Sequence, residues 1–273
     1  MAGRTKARRP AAELPPQIAN PEWSTLLDNM LNVEGSLGDA YRRFHQYSSR
    51  NCAFPAMQGC PIEPIATFQG WTNVNRQVTK GSRAFYILRP ITIKLDEIDE
   101  ATGENKTIGR FKPVKAIFPV SMTEGEPLPE IEHEEWSRER ALAALAIKQV
   151  AFESFENNTQ GYSYDRNIAI SPTAKYPHKT LAYELGHVVL GHRKSERSQD
   201  IHRGLAEFGA EATAHLVTNE LGLLTPEAAS VSRAYCQSWL RGQEPSDKDI
   251  KAVFAATDTI LKAGRPQENK ADE

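Results

Sequence analysis

With 273 residues, 40% of them hydrophobic and 25% charged, the chain is long enough for two modest domains and lies far from the composition of a disordered protein. No run approaches the ~18 consecutive apolar residues of a spanning helix, and no apolar stretch follows the N-terminal charges, which argues against a membrane role and sets the expectation of a cytoplasmic protein. The net charge of −2 hides an uneven spread: residues 1–90 carry 11 Lys/Arg against 6 Asp/Glu, and residues 91–160 carry 8 against 14, so a polyanionic partner is sought first at the front.

Residues 1–20 are charged and rich in Pro and Ala without apolar periodicity, and are expected to be a disordered basic tail. From Pro21 a helix is predicted, with Trp23, Leu26, Leu27, Met30 and Leu31 on one face. A second is predicted through Leu37, Tyr41, Phe44 and Tyr47, and residues 50–65, with Pro, Gly and Cys, read as loop. Alternating β-branched and aromatic residues from Ala84 to Leu95 and from Ile108 to Val120, separated by Thr102-Gly103-Glu104-Asn105, predict a β-meander. The acidic, Pro-containing stretch 121–135 reads as a linker.

Beyond it, Trp136, Leu142, Leu145, Val150 and Phe155 predict a long amphipathic helix, and Asn167 to Ser171 a short strand stopped by Pro172. Helices are predicted over Leu181–His192 and Leu205–Leu221, through Tyr235 and Trp239, and near Asp249–Leu261. The fold class is therefore α+β: N-terminal helices with a small antiparallel sheet, then a mostly helical C-terminal part. The expected domains are residues 21–120 and 136–263, joined by 121–135 and ending in a tail over 264–273. Cys52, Cys60 and Cys236 are odd in number and form no CxxC pattern, so they read as reduced, buried thiols.

Two stretches carry chemistry. Between Phe68 and Tyr86, cations, amides and rings interleave: Trp71, Arg76, Gln77, Lys80, Arg83 and Phe85. Single-stranded nucleic acid is bound by such a mixture, with cations along the phosphates and flat rings under the bases. The same rings would also serve as the core of a small sheet, and the residues alone leave both readings open. The second stretch is Tyr183-Glu184-Leu-Gly-His187, one substitution from H-E-x-x-H. In that pattern two imidazoles at i and i+4 share a helix face and grip Zn²⁺, while the Glu polarises its water. Here Tyr183 stands in the first ligand position, His187 in the second, and Glu184 is the candidate general base. Glu207 and Glu211 lie four apart on the following helix, and His215 four beyond. His192, five residues after His187, is expected about 140° around the helix from it and at the surface or behind the ligands.

The stretch Tyr47–Pro90, with Gln69, Trp71, Thr72, Arg76, Gln77, Val78, Lys80, Gly81 and Pro90 in pattern, resembles the N-terminal domain of ArdC-type anti-restriction proteins. That resemblance implies binding of single-stranded DNA and protection of incoming plasmid or phage DNA from restriction. Where relatives often carry a second Lys near the Gly, this chain has Gly81-Ser-Arg83-Ala, which passes that phosphate contact to Arg83. Residues 136–241, with Ala206-Glu207-Phe-Gly-Ala-Glu211 and Ala234-Tyr235-Cys-Gln-Ser238-Trp239, resemble the zincin metallopeptidase domain of ArdC-type and ImmA/IrrE-type proteins. It implies Glu211 as third ligand, with Glu207 as a supporting or alternative carboxylate.

A neutral phenol at position 183 binds zinc far less readily than an imidazole, so zinc is expected to be weakened or absent. Three readings stay open for this half: a metal-poor pseudoenzyme, a site rebuilt with Tyr183 or His215, and an unrelated helical domain. For the whole chain, single-stranded DNA is the expected partner. The alternative is an active zinc metallopeptidase cleaving a host or regulatory protein.

Overall fold

The computed structural model describes residues 14–32, 47–98, 103–128, 135–153, 158–192, 203–240 and 244–266. Helix α1 (Pro16–Ala19) and α2 (Trp23–Asn32) open the chain, and α2 buries the five apolar residues that its spacing places on one face. Ile18 of α1 is also buried, so residues 16–19 are part of the folded body and not of a tail. Most of the helix predicted through Leu37, Tyr41 and Phe44 lies outside the described residues.

The stretch expected as loop instead holds α3 (Ser49–Met57), capped by Ser48, whose side chain accepts a hydrogen bond from the Asn51 amide. It contains Pro55, a helix breaker by propensity, but burial of Cys52, Ala53 and Phe54 outweighs that local cost. The three cysteines are free and buried.

Strand β1 (Ile65–Thr67), helix α4 (Phe68–Asn73) and β2 (Arg76–Val78) lead into two long strands, β3 (Phe85–Ile98) and β4 (Asn105–Pro119). The sheet order is β1-β4-β3, all antiparallel, so β4 is central and the arrangement is not the meander expected from chain order. β5 (Thr123–Gly125) returns to pair with β2. The start of the acidic stretch 121–135 is thus a strand of the N-terminal half and not linker.

Helix α5 (Arg138–Ala144) is short: Ala146 adopts φ 50°, a left-handed conformation that ends the helix predicted to run on to Phe155, and β6 (Lys148–Gln149) follows. A second sheet, order β6-β8-β7, contains β7 (Gly161–Tyr164) and β8 (Asn167–Ile170), with β6 parallel and β7 antiparallel to β8. Among the described residues, helices α6 (Pro177–Leu190), α7 (Arg203–Glu220), α8 (Pro226–Leu240) and α9 (Asp247–Gly264) follow. No described helix is long and apolar enough to cross a membrane.

The main core does not respect the boundary expected at 121–135. Leu26, Leu27 and Phe54 from the front pack in one cluster with Phe208 and Leu216 of α7 and Ile250, Val253 and Phe254 of α9. Trp23 meets Phe254 with ring centroids 6.3 Å apart. A polar tie reinforces the contact: Asp258 of α9 accepts hydrogen bonds from the Ser49 amide and hydroxyl, both 2.9 Å, at the N-terminus of α3. A smaller cluster joins Ile168 and Leu185 to Ile260 and Leu261. The front of the chain therefore folds against its last helix, an association that linear charge and composition do not reveal.

Candidate functional site

Helices α6 and α7 pack antiparallel and close. A Cβ on Gly186 would fall 3.2 Å from both the Cα and the carbonyl oxygen of Ala210, so the missing side chain allows this approach. Lys179, Tyr183 and His187 follow one another at four-residue spacing on α6, and Glu207, Glu211 and His215 do so on α7. Each set therefore forms a stripe, and the antiparallel packing brings the two stripes together.

The pairing differs from what a zinc site requires. Tyr183 donates its hydroxyl hydrogen bond to Glu207 Oε2. The same oxygen lies 3.4 Å from His187 Nε2, within ion-pair reach, although no well-directed hydrogen bond forms there. Glu211 is held elsewhere: Lys179 Nζ lies 2.6 Å from its Oε1, and Ser232 of α8 donates to that oxygen at 2.6 Å. The Lys179 and Glu211 side chains are only 14% and 5% exposed, so this is a buried ion pair with a hydrogen-bonded third partner.

The Tyr183 ring meets His187 edge-on, centroids 4.7 Å apart. Burial, then the hydrogen bond to Glu207, then the charges of Glu207, Glu184 and Glu211 all raise the phenol above its ordinary pKa of 10, so it stays neutral. Glu184, the candidate base, is 2% exposed.

His192 departs from its helical extrapolation. Gly191 caps α6 in the left-handed conformation (φ 76°), ending the helix before residue 192 and turning the chain back. The His192 ring then reaches His187, with Nδ1 to Nδ1 3.2 Å and ring centroids 5.3 Å apart. Gly209 leaves the room: a Cβ there would lie 3.3 Å from His192 Cε1. His215 is 1% exposed, and burial first, then the positive charges of Arg233 and Lys179, lower its pKa to about 4. It is a neutral core histidine.

The donor set therefore does not fit a His–His–Glu zinc centre. Position 183 offers a neutral hydroxyl already engaged with Glu207, and Glu211 Oε1 is already engaged by a lysine and a serine. Among the described residues no group of three or more His, Cys, Asp or Glu side chains is arranged to hold a metal ion. Lys179 and Ser232 were not singled out from sequence. Four-residue spacing before Tyr183 was the available signal for Lys179; Ser232 had none, because its place depends on how α8 packs.

The N-terminal candidates separate by burial. Trp71 is fully buried and its Nε1 donates to the Phe118 carbonyl at 2.9 Å, so the ring expected to stack on a base is instead a core ring. Arg76 clasps β5: Nε donates to Thr123 Oγ1 at 2.9 Å, one terminal nitrogen to the Thr123 carbonyl at 3.0 Å, and the other to the carbonyls of Gly125 and Glu126. Its guanidinium is committed to the fold. Gln77, Lys80 and Arg83 are exposed around the turn at Gly81, and Phe85 is half-buried against the main core. Among the described residues of this half, the exposed rings are Phe68, 59% exposed, and Phe111, 38% exposed.

No family model matches the sequence, and no curated protein matches it either. Among solved structures the chain is similar to ArdC-type antirestriction proteins. One is the metal-free crystal structure of the antirestriction ArdC protein from the R388 plasmid, with a TM-score of 0.46 and 22% identity over 90% of this chain and 96% of that one. Another is the Mn(II)-bound structure of the same protein, with a TM-score of 0.44 and 20% identity over 89% of this chain and 95% of that one.

Proposed function

We propose that this chain is an anti-restriction protein of the ArdC type that binds single-stranded DNA through its N-terminal half, and that its zincin-like helix pair is a structural platform without a working metal centre. The observation that carries the second part is the buried Lys179–Glu211–Ser232 contact. An ammonium already neutralises the carboxylate that the family pattern offers as third ligand, so a metal ion would have to displace a buried cation and leave Lys179 without its partner. The first part rests on the sequence pattern from Tyr47 to Pro90 and on exposed Lys80 and Arg83.

The test measures bound metal in the full chain after incubation with Zn²⁺ or Mn²⁺, beside its affinity for single-stranded and duplex oligonucleotides of equal length. The expected result is metal far below one equivalent and tighter, salt-sensitive binding to the single strand. Tyr183→His alone should still gain little zinc because Glu211 remains occupied; Tyr183→His with Lys179→Ala should gain much more. Stoichiometric metal in the unaltered protein, with proteolysis that a chelator stops, would overturn the platform reading in favour of a metallopeptidase. Equal affinity for duplex and single strand would remove the single-strand assignment.

A further inference from the structure

Beyond Leu88 the β3–β4 pair leaves the body of the protein. Ile87, Leu88 and Ile117 are buried at its base, whereas no residue from Arg89 to Ile98, or from Asn105 to Lys112, is. The base is clamped by α3: Asn51 bonds both the amide and carbonyl of Leu88, and Gln58 those of Tyr86. The ten residues of β3 from Arg89 to Ile98, at ~3.3 Å each, give a two-stranded arm roughly 30 Å long.

One face of this arm is cationic. Register places Arg89 opposite Lys112 and Ile91 opposite Arg110, and alternation puts all four on the same face. Like charges directly across a ladder are destabilising, and the arm does not offset this itself: no described carboxylate pairs with Arg89, Arg110 or Lys112. Near the tip the pattern is different, with Lys106 paired to Glu97 at 3.1 Å. The opposite face carries Pro90, Gly109 and Phe111, whose ring is covered by the Arg50 guanidinium 4.0 Å from its centroid. An uncompensated row of cations on one face of an exposed arm matches an extended polyanion.

The geometry points to the β3–β4 arm, through Arg89, Arg110 and Lys112, as the surface that follows the phosphates of single-stranded DNA. This rests on the single-strand reading above and moves its principal contact away from Trp71 and Arg76. The arm offers charge without base-edge donors at fixed positions, so binding through it is sequence-tolerant.

The test uses the full chain with Arg89→Gln, Arg110→Gln and Lys112→Gln combined, titrated with a single-stranded oligonucleotide of mixed sequence across a salt series. A charge-matched control replaces exposed Lys148, Arg203 and Lys248 by Gln. Three lost contacts should flatten the slope of log K against log salt by about 2 and weaken binding about 100-fold at 0.1 M salt. The control should change little, and the melting temperature of the arm variant should be unchanged or slightly higher. If the unaltered protein binds and the arm variant binds equally well, the arm is not the contact and the single-strand reading stands. If Lys80→Gln with Arg83→Gln abolishes binding while the arm variant does not, the contact lies at the Gly81 turn. A shift in self-association of the arm variant with unchanged DNA affinity would assign the face to a second copy of the chain. No binding by the unaltered protein would remove both proposals.

Discussion

Two regions of this molecule hold the same kinds of residues and use them in opposite ways. In the seam between α6 and α7, Lys179 pairs with Glu211 and Tyr183 with Glu207 across the helices, while His187 Nε2 lies beside Glu207 without a directed hydrogen bond. On the β3–β4 arm, Arg89, Arg110 and Lys112 face outward, Arg89 directly opposite Lys112, and no carboxylate among the described residues pairs with any of them. Buried polar groups must be paired or they cost several kcal/mol, which is why Lys179, Glu211 and Ser232 are held together. Exposed cations carry no such requirement, and those left without internal partners are free to meet an external charge. Under the proposed function, the seam, which looks catalytic in sequence, serves as structure, and the arm, which looks like ordinary strand, serves as the binding surface.

The largest effect that would break this comparison concerns the shared core. Because α2 and α3 pack on α9, residues 21–120 expressed alone should show no cooperative melting, and a well-folded fragment would restore the boundary at 121–135. Next, Trp71→Ala should cost ~3–5 kcal/mol of stability, measured by denaturant unfolding of the full chain, as expected for a fully buried ring. A stable Trp71→Ala protein with lost DNA affinity would return Trp71 to the binding surface.

Removing one partner of the buried ion pair should also be costly. Lys179→Met or Glu211→Leu should each lose ~3–5 kcal/mol, while the double variant should lose much less than the sum, because neither charge is then stranded. Additive losses would show that the two side chains do not pair. A smaller effect follows from His215, whose pKa is lowered from 6.5 to about 4. Between those values the unfolded chain binds a proton that the folded chain does not, so stability should fall as pH drops from ~6.5 to ~4. His215→Gln should flatten that part of the stability profile, and an unchanged profile would place His215 in solvent. The smallest effect is expected at Arg76, where Arg76→Ala should cost about 1–2 kcal/mol through the lost clasp on β5 and leave the salt slope of DNA binding unchanged.

The sequence by itself determined what depends on neighbours along the chain. The apolar spacing of α2, the strand at Asn167–Ile170, the helices α6 to α9, and the four-residue spacing that aligns Tyr183 with His187 and Glu207 with Glu211 are all local periodicities, and local periodicity is written directly in residue order. Even the α+β class follows from it. What only the tertiary structure decided are relations between elements distant in sequence. Burial of α3 outweighed Pro55, a left-handed Ala146 cut α5 short, and the left-handed turn at Gly191 folded His192 back onto His187. The register of β3 against β4 set Arg89 across from Lys112 and placed Arg110 on the same face. The partner of Glu211 was decided in the same way: spacing puts the carboxylate on the correct face, but only the packing of α6 and α8 against α7 delivers Lys179 and Ser232 to it. A motif fixes the direction in which a side chain points, and the packing of other elements supplies what it meets there.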